Sequence, residues 1–270
     1  MDINSVTVTF ASPVASIGSL IVYDGSGAQI GTATAVIGSS TQFHAAIPFG
    51  KLVLPYRQQR SLSVTARLNG NTTGGMSGED VQVQTMTVEG EGRWSNEAYA
   101  SSSNDTFNAS ETAFARITGI ANTGIAEGVL ISGPGKVLAD LTVTADTPES
   151  QHEVRITSLT FTIEQAGGIT LSNVALRTED GSASSPCTVG STTVLCAAID
   201  ASVGTVDMSR RMRLVGDVLV PGAATKPSLR LVLNQPGTSA TAGDITWSDG
   251  SATFSWVDLD QPVVGGTIWR

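Results

Sequence analysis

The sequence predicts an all-β protein made of two tandem immunoglobulin-like β-sandwich domains, and three observations predict it. Val, Ile and Thr abound while Gly and Ser recur every ten residues or so, a composition suited to short strands joined by turns. No long window places apolar residues at helical i, i+3, i+4 spacing, so almost no helix is expected. Apolar and polar residues instead alternate. In 136–146, Val137, Ala139, Leu141, Val143 and Ala145 share one face, and Lys136, Asp140, Thr142, Thr144 and Asp146 share the other.

That strand leads through a polar connector, 147–151, into a second alternating run with Leu159, Phe161 and Ile163 on one side. The stretch 136–163 therefore reads as a hairpin of strand, turn and strand. Its second strand recurs at the N-terminus: Ile3-Asn4-Ser5-Val6-Thr7-Val8-Thr9-Phe10 matches Ile156-Thr157-Ser158-Leu159-Thr160-Phe161-Thr162-Ile163 in residue type. Both copies change phase at the same place, Ser5/Val6 and Ser158/Leu159, which predicts a β-bulge or a crossing between sheets.

The repeat continues along the chain. Leu20–Gly25 parallels 174–181, each a strand running into an Asp-Gly turn; Phe43–Ile47 is laid over Leu195–Ile199, placing His44 on Cys196; and Leu62–Ala66 is laid over Leu214–Val218. Each copy closes with further strands, 80–88 in the first and 228–233 and 245–256 in the second. About seven short strands per copy give the sandwich, with a jelly roll as the next architecture. The expected domains are 1–95, a linker with short edge strands over 96–135, and 136–270 with an extended C-terminal tail.

The two copies differ in one respect. The second has the strand 136–146 ahead of its Ile156 strand, and the first has no counterpart to it. A sandwich lacking a strand leaves an open edge and an uncovered apolar groove. Three repairs suggest themselves: a strand removed with the N-terminus, a segment such as 107–120 filling the place, or a strand donated by another subunit. In the third case Ile3, Val6, Val8 and Phe10 would form the acceptor edge, and the tail with Phe254, Trp256, Val263, Ile268 and Trp269 the donor.

A net charge of −9 with three lysines excludes nucleic acid, which needs clustered cations. No run of eighteen apolar residues spans a membrane, and the opening residues show no signal-peptide pattern, so a leader would be already removed or not included. Cys187 and Cys196 flank eight residues; a two-residue turn at Ser191-Thr192 sets them opposite each other, as a cross-strand disulfide or as two reduced core thiols. An oxidised pair indicates an extracellular or cell-surface setting.

At 137–146, again at 156–163, and at Asp244-Ile245-Thr246-Trp247-Ser248-Asp249-Gly250, the chain resembles immunoglobulin-like repeat modules of secreted surface proteins from candidate-phyla bacteria. The resemblance implies an immunoglobulin-like module on a cell-surface, S-layer-like or filamentous protein, and the missing first strand beside an extended aromatic tail predicts a homo-oligomer or homopolymer assembled as a filament, pilus or surface layer.

Catalytic chemistry finds no motif. His44 reads as a packed or edge-strand residue and His152 as a solvated turn residue; no serine sits in a G-x-S-x-G elbow; and Ser132–Lys136 lacks the Ser/Thr and the helix of a phosphate loop. No enzyme and no cofactor are expected. Acidic turns at Asp24, Glu79-Asp80, Glu179-Asp180, Asp249 and Asp258/Asp260 contain calcium-type oxygen donors without completing a calcium loop. Trp94, Tyr99, Trp247, Trp256 and Trp269 raise the alternative of an adhesin with a glycan ligand stacked on aromatic faces. Asn71, Asn104 and Asn108 head glycosylation sequons.

Overall fold

In a computed structural model the chain is nearly all strand and divides into two units, Met1–Ala113 and Phe114–Arg270. The structure describes residues 1–103, 107–124, 127–148, 152–233, 235–258 and 268–269.

The first unit contains β1 (Asp2–Phe10), β2 (Ile17–Asp24), β3 (Gln29–Ala35), β4 (Gln42–Ala46), β5 (Leu62–Leu68), β6 (Asp80–Val81), β7 (Val83–Glu91), β8 (Ala98–Ser103) and β9 (Ser110–Glu111). The strands run in the order β5-β2-β3-β4-β1-β7-β8, with β6 and β9 as a separate pair. β3 belongs to both layers: residues 29–33 pair with β2, and Thr34 and Ala35 pair with β4. Folding the ribbon at β3 lets Val6, Val8 and Phe10 of β1 pack with Leu20 and Val22 of β2 in one core.

The second unit contains β10 (Arg116–Asn122), β11 (Glu127–Gly128), β12 (Gly133–Asp146), β13 (Val154–Ala166), β14 (Thr170–Thr178), β15 (Ser184–Pro186), β16 (Thr188–Val189) and β17 (Thr193–Cys196). After these come the one-turn helix α1 (Ala201–Gly204), β18 (Thr205–Val206), β19 (Ser209–Leu219), β20 (Ser228–Val232), β21 (Ile245–Ser248), β22 (Thr253–Phe254) and β23 (Ile268–Trp269). One sheet is β10-β12-β19-β14-β15; the other is β11-β23-β20-β13-β17-β16, with β18 and β21 also on β13 and β22 on β21. The core holds Leu138, Ile156, Phe161, Leu176, Met212 and Leu214, all at most 1% exposed. The sandwich fold expected from the alternation is therefore present.

The ladders establish the repeat in three dimensions. β1 pairs with β4 and β7 as β13 pairs with β17 and β21. The shared phase change is a β-bulge, at Ile3/Ser5 against β7 and at Ile156/Ser158 against β21. Likewise β2 pairs with β5 as β14 pairs with β19.

Four expectations need correction. The stretch 136–163 is not a hairpin, because β12 lies in the sheet with β10 and β19 while β13 lies in the facing sheet; alternation marks a buried face without naming the neighbour. The region 96–135 is not a separate linker, although its expected short edge strands are present: β8 ends the first unit's sheet, and β10 and β11 end sheets of the second. β8 was illegible because it is an edge strand exposed on both faces, leaving Ala98–Ser103 no apolar period. The segment 107–120 does not fill the first unit's gap, since β9 pairs with β6 and β10 with β12. Finally, Val8↔Phe43 corresponds to Phe161↔Val194, so Ala45 is the counterpart of Cys196, and His44 is that of Leu195; His44 is exposed, with Nδ1 3.0 Å from Thr7 Oγ1.

Candidate assembly interface

Among the described residues, the strand missing from the first copy is missing in space as well. In the second unit β19 is covered on its outer side by β12, and β12 in turn by β10. In the first unit β5, the counterpart of β19, ends the sheet. The ladders fix the correspondence: Asp24↔Leu62, Val22↔Val64 and Ile17↔Leu68 match Thr178↔Met212, Leu176↔Leu214 and Leu171↔Val218. This register differs by two residues from the one the sequence suggests for β5, which keeps the same face inward.

Burial along this face shows what the missing strand does. Met212, Leu214 and Val218 are 0%, 1% and 4% exposed, whereas Leu62 and Val64 are half-buried and Leu68 is 57% exposed. At the Leu62 end of β5 a groove of about 450 Å³ is lined by Ile3, Leu52, Leu54, Leu62 and Val88 together with Gln58–Ser61. In the second unit the matching zone receives Leu138, Leu141 and Val143 from β12.

On β12 the outward side is fastened electrostatically. Asp140 is 5% exposed and accepts two hydrogen bonds from Arg211 (2.8 Å each), one from Arg213 Nε (3.1 Å) and one from Thr123 Oγ1 (2.9 Å). Burial alone would raise the carboxyl's pKa; the hydrogen bonds from Arg211, Thr123 and Arg213 outweigh it and hold the group below its ordinary value. The positions of Arg211 and Arg213 are taken in the first unit by Ser61 and Ser63.

The acceptor expected at Ile3, Val6, Val8 and Phe10 is misplaced. β1 is paired on both sides, and these four side chains lie in its own core, 0–4% exposed. The open edge belongs to the strand that would neighbour the missing one, and only the ladders identify it. The described parts of the expected donor tail, 251–258 and 268–269, are also committed to their own unit. Phe254 is 3% exposed and stacks on Trp247 at 4.4 Å; Trp247 Nε1 donates to Trp256 O (2.8 Å); and the backbone at Ile268–Trp269 pairs with β11 and β20. Val263 lies outside the described residues.

Other expected sites fall as follows. Cys187 and Cys196 form a disulfide across the β16–β17 hairpin, with Cα atoms 4.1 Å apart; Gly190 N donates to Thr193 O (2.8 Å) to close the turn at Ser191-Thr192. Of the acidic turns, those at Asp24 and Asp180 turn their carboxylates on themselves, whereas Glu79 accepts from Ala15 N and Ser16 N, Glu179 from Arg211 and Asp249 from Phe114 N, and Asp260 lies outside the described residues. Asp24 Oδ1 accepts from Ser26 N, Ser26 Oγ and Ala28 N, and Asp180, lowered to about 2, accepts from Thr178 Oγ1 and from Ser182. Among the described residues no group of three metal-ligating side chains converges. Asn71 and Asn108 are exposed, and Asn104 lies outside the described residues. His152 Nδ1 is 3.1 Å from Asp249 O, and its ring packs on Phe114 at 4.7 Å.

A second surface feature of the first unit adjoins the groove, sharing Leu54 and Gln58 with it. A cleft of about 560 Å³ is lined by Leu54, Tyr56, Arg57, Arg93, Trp94 and Tyr99 among others, and Trp94 is 97% exposed. Arg93 is held there by donating to Asp2 (2.6 and 3.0 Å), which lowers the Asp2 pKa. No helix among the described residues is long and apolar enough to cross a membrane. No protein-family model matches the chain, and no curated protein matches it.

Proposed function

We propose that the chain is a non-enzymatic structural subunit of an extracellular filament, pilus or surface layer, built from two immunoglobulin-like modules and assembled by β-strand addition. One observation carries the reading: the first unit's sheet stops at β5, with Leu68 exposed at one end of the strand and an apolar groove at the Leu62 end, where the second unit continues through β12 and β10. The Cys187–Cys196 disulfide is compatible with an oxidising compartment.

Electron microscopy of the native material tests the reading. Filaments or sheets are expected, and Val64→Lys, which places a charge on the open inward face, should give folded single particles. Single particles alone from the unaltered protein would overturn it. The exposed Trp94 cleft favours a second reading, a glycan-binding surface module; it predicts retention on immobilised glycan that Trp94→Ala abolishes.

A further inference from the structure

We propose that the outer edge of β5 receives an antiparallel strand from a neighbouring subunit, in the register that β12 keeps on β19; the inference rests on the assembly reading and specifies its joint. Because the chain contains the same module with that edge occupied, the occupant's chemistry can be read from the second unit. There Leu141 and Ala139 stand opposite Met212 and Leu214, and Leu138, at the register shift between Val137 and Ala139, packs against Gly216. Transferred through the repeat, the corresponding donor residues meet Leu62, Val64 and Ala66. The donor's inward positions are apolar, and they enter the groove bounded by Ile3, Leu52, Leu54 and Val88.

Two differences between the units make the donor something other than a copy of β12. A Cβ on Gly216 would lie 3.1 Å from Leu138 Cδ1 and 2.8 Å from Val174 Cγ2, and Ala66 carries that Cβ. A donor side chain smaller than Leu therefore fits at the Leu138 place. The two arginines that answer Asp140 are replaced by Ser61 and Ser63, so the donor is neutral where β12 is acidic. β12 itself is fully engaged between β10 and β19, so the strand is an extended segment with this amended pattern.

The experiment uses a synthetic peptide of residues 136–146 carrying Leu138→Ala and Asp140→Cys, mixed under mild oxidation with the full chain carrying Ser63→Cys. Asp140 stands opposite Arg213, the counterpart of Ser63, and a disulfide forms only between facing residues. The expected result is roughly tenfold more cross-linked product than with Thr65→Cys, one pair out of register, or with Ser101→Cys on β8, the sheet's other end. Equal product at all three positions, none at Ser63→Cys, or preference for β8 would overturn the proposal. A Ser63-specific product in a chain that never polymerises would leave β5 an open edge but overturn both the assembly reading and the neighbouring-subunit donor; polymers from a chain whose β5 never cross-links would overturn this joint and keep the assembly reading.

Discussion

β5 and β19 are the same strand of the same module, hydrogen-bonded in the same way to β2 and β14, yet one has an exposed face and the other none. Their own residues do not account for the difference: Leu62, Val64 and Leu68 are as apolar as Met212, Leu214 and Val218. The neighbour does, because a strand's inward side chains are sealed by the next strand as much as by the facing sheet. β12 therefore stabilises the second unit, and without a counterpart to it the first unit's sheet ends at β5 with Leu68 exposed.

The largest expected effect comes from weakening β12. Leu141→Ala, at a position 3% exposed, should destabilise the second unit by about 2–5 kcal/mol in denaturant unfolding while leaving the first unit's transition in place. Replacing Cys187 and Cys196 by Ser should cost the second unit about 2–3 kcal/mol, since the bridge closes a short loop, and should likewise spare the first. Val64→Ala, the first-unit counterpart of a buried Leu, should cost about 1 kcal/mol or less, because the site is already half-open to water. If Val64→Ala costs as much as Leu141→Ala, β5 is not an uncovered edge.

Acid sharpens the same comparison. The Asp140 carboxyl is held below its ordinary value of 3.8 by its arginine and threonine donors, so its contribution is complete above that pH and is lost as pH falls through the lowered pKa. Asp180, at about 2, contributes in the same sense to lower pH. Circular dichroism during acid titration should show the second unit weakening below about pH 4, and Asp140→Asn should flatten that dependence. The smallest effect is expected at Trp94: Trp94→Ala should change first-unit stability by no more than about 0.5 kcal/mol, because the side chain is 97% exposed.

The sequence carried the sandwich, the repeat, the bulge shared by Ser5 and Ser158, and the hairpin register that joins Cys187 to Cys196, all of which are periodicities of neighbouring residues. It also showed that a strand was missing. It did not show which strand was left bare, because pairing between distant strands leaves no local period; β1 comes first in the module, but β5 borders the gap. The same blindness turned β12 and β13 into a hairpin and slid His44 by one residue onto Cys196. The edge strand β8, wetted on both faces, left no pattern to find.

The most direct test of the open edge is amide hydrogen exchange, comparing β5 with β19 in the dispersed chain and again in assembled material. The account predicts that β5 exchanges far faster than β19 in the dispersed chain and becomes as protected as β19 on assembly. Equal protection of the two strands in the dispersed chain, or a β5 still unprotected in the polymer, would contradict it.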